Sequence, residues 1–229
     1  MSVRLPAPPD QLPPLDDNHV AELGAGTQLV RLHDTGARHP MPAQGLRRFG
    51  PHPTKGRFDH HVPGTHGEPI LQTVRGIAYL ACHDPHAAAD APGSPFDVVI
   101  AEAAQGDTTI ELTAGSTISV LTLRAPLRLL DCSGLWAQQT GAGAHLSSSA
   151  HHRTQPWARA IYDTYPTLHG VLYRPSTGGR CVAVAVTDRG APQLDGADLT
   201  MTHPAGHHGL IGPISEAAER LGIAVELVG

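Results

Sequence analysis

The sequence is poor in aromatic and charged residues, and it contains few cysteines. Aromatic residues make up 4% and charged residues 16% of the 229 positions, whereas hydrophobic residues make up 40%. A core built from aliphatic side chains rather than rings is therefore predicted. The three cysteines, Cys82, Cys132 and Cys181, are an odd number and each lies in or beside an apolar stretch. This pattern predicts buried free thiols and argues against a disulfide framework.

Long hydrophobic runs and an excess of positive charge are also missing. The apolar stretch at residues 118–130 is interrupted by Arg124, Pro126 and Arg128, and it is shorter than the ~18 residues of a membrane helix. The N-terminus has no apolar segment typical of a signal peptide. The net charge of -5 disfavours a protein that coats nucleic acid or binds membranes through basic residues. We therefore expect a cytoplasmic protein that binds neither nucleic acid nor a membrane directly.

Several short catalytic motifs are absent. The chain has no GxSxG, GxGxxG or Walker loop, so hydrolase, Rossmann and P-loop chemistries lack their local signatures. HExxH and CxxC are also missing, although the chain has 16 histidines. Only His83 and His86 have the spacing of metal ligands, and they would need partners from elsewhere. We expect structural or exposed histidines and no bound metal, with a metal site as the alternative.

Glycine and proline are abundant, at 25 and 21 residues, and they indicate a chain rich in turns. Five prolines by position 14 predict an extended N-terminal arm at residues 1–25, followed by one domain at residues 26–229. Residues 36–76 and 188–213 are rich in Gly, Pro and His and show little periodicity. A long irregular segment inside a domain is usually functional or disordered.

Alternating or short apolar runs predict eight strands. They are Thr27–Leu32, Ile77–Cys82, Ile110–Leu112, Thr117–Leu123, Leu127–Leu130, Gly170–Tyr173, Cys181–Val186 and Ile223–Val228. Helices are predicted from Asp84 to Ala91, from Thr154 to Tyr162 and from Ser215 to Leu221, each with a capping residue at its start. The predicted fold is a single mixed α+β domain, rich in strands and with few short helices.

The order of motifs along the chain resembles the RES domain, a family named for an Arg, a Glu and a Ser. The segments that carry the resemblance include GTQLVRLHD, GRFDH, GIAYLACHDPHAAAD, HGVLYRPSTGGRCVAVAV and ISEAAERLGIAVELV. The resemblance covers most of the chain. It implies a core like that of the ADP-ribosyltransferases and the activity of toxins from bacterial toxin–antitoxin pairs, which destroy NAD by hydrolysis or phosphorolysis. NAD would be the substrate, no cofactor is implied, and the partner would be an antitoxin of the helix-turn-helix type.

The resemblance also implies the roles of individual residues. The catalytic candidates are Arg31 and Asp90, and Asp90 stands where the family has Glu. The family Ser falls on Pro175, with Ser176 directly after it. The candidates for substrate binding are Arg31, Arg57, Tyr79, Gln155, Tyr173 and Ser176.

These residue types suit cleavage of the nicotinamide–ribose bond. A carboxylate stabilises an oxocarbenium-like transition state, and arginines bind pyrophosphate oxygens. An aromatic ring such as that of Tyr79 stacks on nicotinamide. Two of the three name-giving positions differ from the family, so a catalytically inactive scaffold and an ADP-ribosyl transferase remain alternatives.

Overall fold

An eight-stranded sheet organises the molecule in a computed structural model that describes residues 5–36, 40–52, 54, 56–87, 93–175 and 181–228. Its strand order is β1-β8-β9-β10-β5-β2-β7-β11, and a two-stranded sheet β12-β6 and a short hairpin β3-β4 flank it. The strands are β1 (Val20–Leu23), β2 (Gln28–Asp34), β3 (Phe49–Gly50), β4 (Ile70–Leu71), β5 (Ile77–His83), β6 (Thr109–Thr113), β7 (Ser116–Thr122), β8 (Leu127–Asp131), β9 (Gly170–Tyr173), β10 (Cys181–Thr187), β11 (Asp198–Pro204) and β12 (Ala224–Val228). All eight predicted strands are present, and the mixed α+β class is confirmed.

Six α-helices and two short 3-10 helices, Asp17–His19 and Asp188–Gly190, lie in the described part of the chain. The α-helices are numbered in chain order. They are α1 (Pro95–Ala104), α2 (Leu135–Gln139), α3 (His145–Ser148), α4 (His151–Thr164), α5 (Ala191–Asp195) and α6 (His208–Leu221). Within the described ranges, none of these helices has both the length and the hydrophobicity needed to cross a bilayer. All three cysteines are free and buried, as predicted.

The first predicted helix is wrong over its described residues. Asp84 caps a single turn, in which its side chain accepts a hydrogen bond from the His86 N–H (2.9 Å), and residues 84–87 are not helical. The helix that follows β5 starts at Pro95 instead. Residues 88–92 lie outside the described residues. The segment 188–213, predicted to be irregular, contains α5, β11 and the start of α6.

Two other helices start earlier than predicted. Helix α4 begins at His151, so Thr154 is not its cap, and Pro156 lies inside the helix. The Thr154 hydroxyl instead donates to main-chain carbonyls, including that of Arg57 at 2.6 Å. Helix α6 begins at His208 rather than after Ser215.

The N-terminal segment is bonded to the rest of the molecule. Residues 20–23 form β1, an edge strand antiparallel to β8. Trp157 donates through Nε1 to the Pro6 carbonyl (2.8 Å), and the Tyr165 hydroxyl donates to the Pro13 carbonyl (2.6 Å). Because β1 completes one edge of the large sheet, the segment before residue 25 contributes to the core architecture.

The large sheet separates two apolar clusters, and successive residues of β10 alternate between them. Its alternating sequence places Val182, Val184 and Val186 in one cluster and Ala183 and Ala185 in the other. Ala183 pairs with Tyr173 of β9, and Ala185 pairs with Tyr79 of β5. Side chains on one strand alternate between faces, so these small alanines leave room for the two tyrosine rings on a single face.

Candidate functional site

A cleft lies between this tyrosine-bearing face of the sheet and helix α1. Its cavity volume is about 190 Å³. The strands contribute Leu32, Tyr79 and Tyr173, the helices contribute Glu102 and His151, and the loops contribute Arg47 and Gly56. Two of the predicted substrate-binding residues, Tyr79 and Tyr173, therefore line one cleft.

Glu102 supplies the carboxylate of this cleft, and the sequence analysis missed it. The Tyr173 hydroxyl donates a hydrogen bond to Glu102 Oε2 at 2.8 Å. Burial raises the pKa of Glu102, while this hydrogen bond and the positive charge of Arg57 lower it. A half-buried carboxylate that is held by one donor and one nearby cation can act as an electrostatic stabiliser of a positive charge.

The local sequence of α1 explains the position of Glu102. Ser94 and Asp97 form a reciprocal capping box, and Pro95 occupies the first turn. Val98 and Val99 line the cleft one turn before Glu102, as the helical period requires. A Ser-Pro start followed three residues later by an acidic residue is a known helix signal, so the sequence held the information needed to find this helix.

Arg57 lies close to this carboxylate. Its Nη1 donates to the Ser149 carbonyl, and its buried Nε has no hydrogen-bond partner among the described residues. The positive charge of Arg57 also lowers the pKa of His151, after the larger effect of burial. The unpaired Nε leaves the guanidinium incompletely hydrogen-bonded, and its positive charge favours an anionic ligand in the adjacent cleft.

Gln155 holds the loop that carries Arg57. Its side-chain amide donates to the His52 carbonyl at 2.7 Å and, more weakly, to the Gly56 carbonyl at 3.4 Å. These bonds fix the loop against α4. Gln155 is thus engaged with the protein main chain beside the cleft rather than lining it.

Tyr79 is held by its hydroxyl group. The hydroxyl donates to Asp59 Oδ1 at 3.1 Å, and the Phe58 N–H donates to the phenolic oxygen at 2.9 Å. Burial and the nearby Asp59 raise the pKa of Tyr79 well above its usual value. The phenol therefore stays protonated at neutral pH.

The structure places Arg31 on the other face of the sheet, away from the cleft. Arg31 is 5% exposed, and its Nη1 donates to the carbonyls of Ala43 and Gly45 (2.6 Å each) and of Pro42 (3.3 Å). Burial lowers its pKa to about 10, and Arg47 adds to the effect. Its neighbour Leu32 lines the cleft, because adjacent strand residues point to opposite faces.

Asp90 and Ser176 lie outside the described residues. Among the predicted residues that are described, Tyr79 and Tyr173 line the cleft, and Arg57 lies beside it next to Gly56. Gln155 bonds to the loop that carries Arg57, and Arg31 lies on the other face of the sheet.

Histidines within the described ranges do not form a metal centre. No group of three or more His, Cys, Asp or Glu side chains there is arranged to hold a metal ion. His83 ends β5 and lies with Nδ1 3.7 Å from the Cys181 sulfur. His60 and His61 are buried, and burial lowers the pKa of both, so they are neutral at pH 7.

Comparison with solved structures gives a distant likeness. The chain is similar to a chain in the crystal structure of the M. tuberculosis MbcT–MbcA toxin–antitoxin complex, with a TM-score of 0.48 and 18% sequence identity. The match covers 83% of this chain and 92% of that chain. No protein-family model and no curated protein matches the sequence. This likeness is too distant to assign an activity or any residue.

Proposed function

We propose that this protein cleaves NAD at the nicotinamide–ribose bond, with Glu102 as the catalytic carboxylate. The observation that carries the proposal is the half-buried Glu102 side chain, which faces a cleft opposite Tyr79 and receives the Tyr173 hydroxyl at 2.8 Å. Loss of nicotinamide leaves positive charge on the ribose, and a nearby carboxylate stabilises that charge. The motif order that resembles RES domains supports the same reaction.

The remaining cleft residues fit the other parts of the substrate. The ring of Tyr79 offers an aromatic face for nicotinamide. Arg47 on the cleft wall, together with Arg57 next to the lining residue Gly56, offers positive charge for the pyrophosphate. A cavity of about 190 Å³ is smaller than the roughly 300–1,000 Å³ of pockets that enclose a whole drug-sized ligand. We therefore expect the cavity to take the nicotinamide riboside end, with the adenosine end lying along its opening.

Release of nicotinamide from NAD by the purified protein tests this function. Chromatography of the products, with and without inorganic phosphate, distinguishes the acceptors. Water as acceptor gives ADP-ribose, and phosphate gives its 1-phosphate. Glu102→Gln is the control, because it removes the charge and keeps the shape of the side chain.

No nicotinamide release by folded wild-type protein under either condition would reject the proposed activity. Binding of NAD without cleavage would then favour an inactive scaffold. Transfer of labelled ADP-ribose to a protein acceptor, with little hydrolysis, would favour a transferase.

The proposal includes a protein partner. The RES resemblance implies a toxin that is neutralised by an antitoxin of the helix-turn-helix type, and an antitoxin segment that filled the cleft would exclude NAD. Expression of the wild-type chain alone in bacteria is expected to lower cellular NAD and slow growth, whereas the Glu102→Gln chain leaves both unchanged. Harmless expression with normal NAD would reject the toxin role.

A further inference from the structure

One carboxylate links two walls of the cleft. Asp59 is fully buried, at 0% exposure, yet it follows directly on the cleft loop that carries Gly56 and Arg57. Its Oδ1 accepts hydrogen bonds from the Tyr79 hydroxyl and from Arg47 Nη2, and its Oδ2 accepts the His52 N–H at 2.9 Å. Both side-chain donors to Oδ1 belong to residues that line the cleft.

The hydrogen bonds of Tyr79 restrict what it can do. Its single hydroxyl proton points to Asp59 Oδ1, and its oxygen accepts the Phe58 N–H. The phenol cannot donate to a ligand without breaking its bond to Asp59. In this arrangement Tyr79 contributes its ring, and the angle of that ring is set by Asp59.

Arg47 is held in a similar way. Its Nη2 is paired with Asp59, and its Nη1 donates to the Phe49 carbonyl. The Arg47 side chain is 29% exposed, and the residue lines the cleft. A guanidinium held by a buried carboxylate keeps one orientation and loses little rotamer freedom when an anion binds.

The backbone beside Asp59 leaves space for its carboxylate. Gly56 has φ +78°, and a Cβ at this position would collide with Asp59 Oδ1. Only glycine adopts this backbone conformation without strain. The loop is therefore built around the carboxylate.

We propose that Asp59 is a positioning residue for NAD cleavage, which fixes the ring plane of Tyr79 and the guanidinium of Arg47 on the cleft wall. This inference rests on the proposed function. Because Asp59 does not line the cleft, it would act through these two residues and would touch neither substrate nor product.

The test compares Asp59→Asn with Asp188→Asn. Asp188 is a matched control, since its carboxylate also accepts a tyrosine hydroxyl, from Tyr162 at 2.9 Å, and a main-chain N–H, from Gly76 at 3.1 Å, and it does not line the cleft. Asparagine keeps an acceptor and a similar shape but loses the charge that holds Arg47. A misplacement of about 1 Å costs on the order of 100-fold in rate, so we expect Asp59→Asn to lower kcat/KM roughly 10- to 100-fold. The control should stay within about threefold, a difference of under 1 kcal/mol in transition-state binding.

A double-mutant cycle separates positioning from a general structural role. If Asp59 acts through Arg47, then Asp59→Asn costs much less in an Arg47→Gln background than in the wild type. If Asp59 has only a structural role, Asp59→Asn lowers kcat/KM by the same factor in both backgrounds. It then also lowers the melting temperature by the same amount in both. Crystal structures of the Asp59→Asn protein should show Arg47 and Tyr79 displaced from their wild-type positions.

If Asp59→Asn does not fold, the Tyr79→Phe variant provides a second test. It keeps the ring and leaves Asp59 paired with Arg47, so a fall in kcat/KM with unchanged melting temperature supports positioning through the hydroxyl. Wild-type activity together with Asp59→Asn activity equal to that of the Asp188→Asn control would overturn the inference and leave the proposed function intact. Wild-type protein that neither binds nor cleaves NAD would overturn both.

Discussion

Two arginines near opposite faces of the central sheet differ in their hydrogen bonds. On the face away from the cleft, Arg31 gives its hydrogen bonds to three loop carbonyls of residues 42, 43 and 45. On the cleft face, Arg57 retains a buried Nε without a partner among the described residues, beside a carboxylate whose pKa is raised by burial. Both arginines were predicted to bind substrate. Arg31 lies away from the cleft, whereas Arg57 follows Gly56, a residue of the cleft wall.

This difference shows that the hydrogen bonds of an arginine indicate whether it stabilises the fold or can bind a ligand. A buried cation that donates to several main-chain carbonyls, as Nη1 of Arg31 does, stabilises the fold because it ties a loop to the sheet. A cation beside a cleft whose donors are not all paired keeps a positive charge that can attract an anionic ligand. Arg31 anchors the turn at residues 42–45, which leads directly to Arg47 on the cleft wall.

The largest expected effect comes from the cleft carboxylate. Glu102→Gln should lower kcat for NAD cleavage about 100- to 1,000-fold, as expected when one preorganised electrostatic group is removed. Asp90→Asn is the informative counterpart, since Asp90 is the carboxylate implied by the family resemblance. Nicotinamide release measured for both variants decides between them. A large loss for Asp90→Asn with full activity for Glu102→Gln would reject the assignment of Glu102.

The same substitution on the two arginines should separate the two faces. Arg57→Lys is expected to lower kcat/KM roughly 10- to 100-fold, because lysine loses the fork that binds phosphate oxygens in pairs. The free energy of unfolding should change little. Steady-state kinetics and urea denaturation of the same preparation give both numbers. Equal loss of activity and stability would mean that Arg57 is structural.

Arg31→Lys should show the reverse pattern. Lysine cannot donate to the same three carbonyls with the geometry of arginine. Because each buried hydrogen bond contributes about 1 kcal/mol, we expect the free energy of unfolding to fall by about 2 kcal/mol. Activity per folded molecule should fall less than in Arg57→Lys. Urea denaturation with active-site titration checks this. If Arg31→Lys lost all NAD cleavage while keeping its stability, Arg31 would have the catalytic role that the resemblance implies.

The smallest expected effect is a shift in pH dependence. Catalysis needs ionised Glu102, so activity should fall as the pH drops through its pKa, which burial raises above the usual value for glutamate. Tyr173→Phe removes a donor that favours the ionised form. The pKa of Glu102 should then rise further, and the acidic limb of the kcat/KM profile should move to higher pH. Tyr162→Phe is the control, because the Tyr162 hydroxyl donates a hydrogen bond to Asp188 rather than to Glu102. An unmoved acidic limb in Tyr173→Phe would show that another group titrates.

The sequence by itself determined much of the sheet and part of the site. Alternating residues in segments such as 77–83 and 181–187 predict the strands, because one buried face imposes a period of two. Burial of the cysteines followed from their apolar surroundings. Tyr79 and Tyr173 are brought together because their strands flank β10, which carries alanines opposite both.

Only the tertiary structure decided which charges face the cleft. Asp84-Pro85 and Ser94-Pro95 carry similar helix-start signals, yet Asp84 forms a single turn and its carboxylate pairs with Arg174 of a distant segment. The helix starts at Pro95 instead, and this start brings Glu102 to Tyr173. The face of Arg31 was equally undetermined, because a strand's alternation says that two residues point apart but not which side will hold the cleft. Both choices depend on contacts between segments that are far apart in the chain, and local propensity does not contain them.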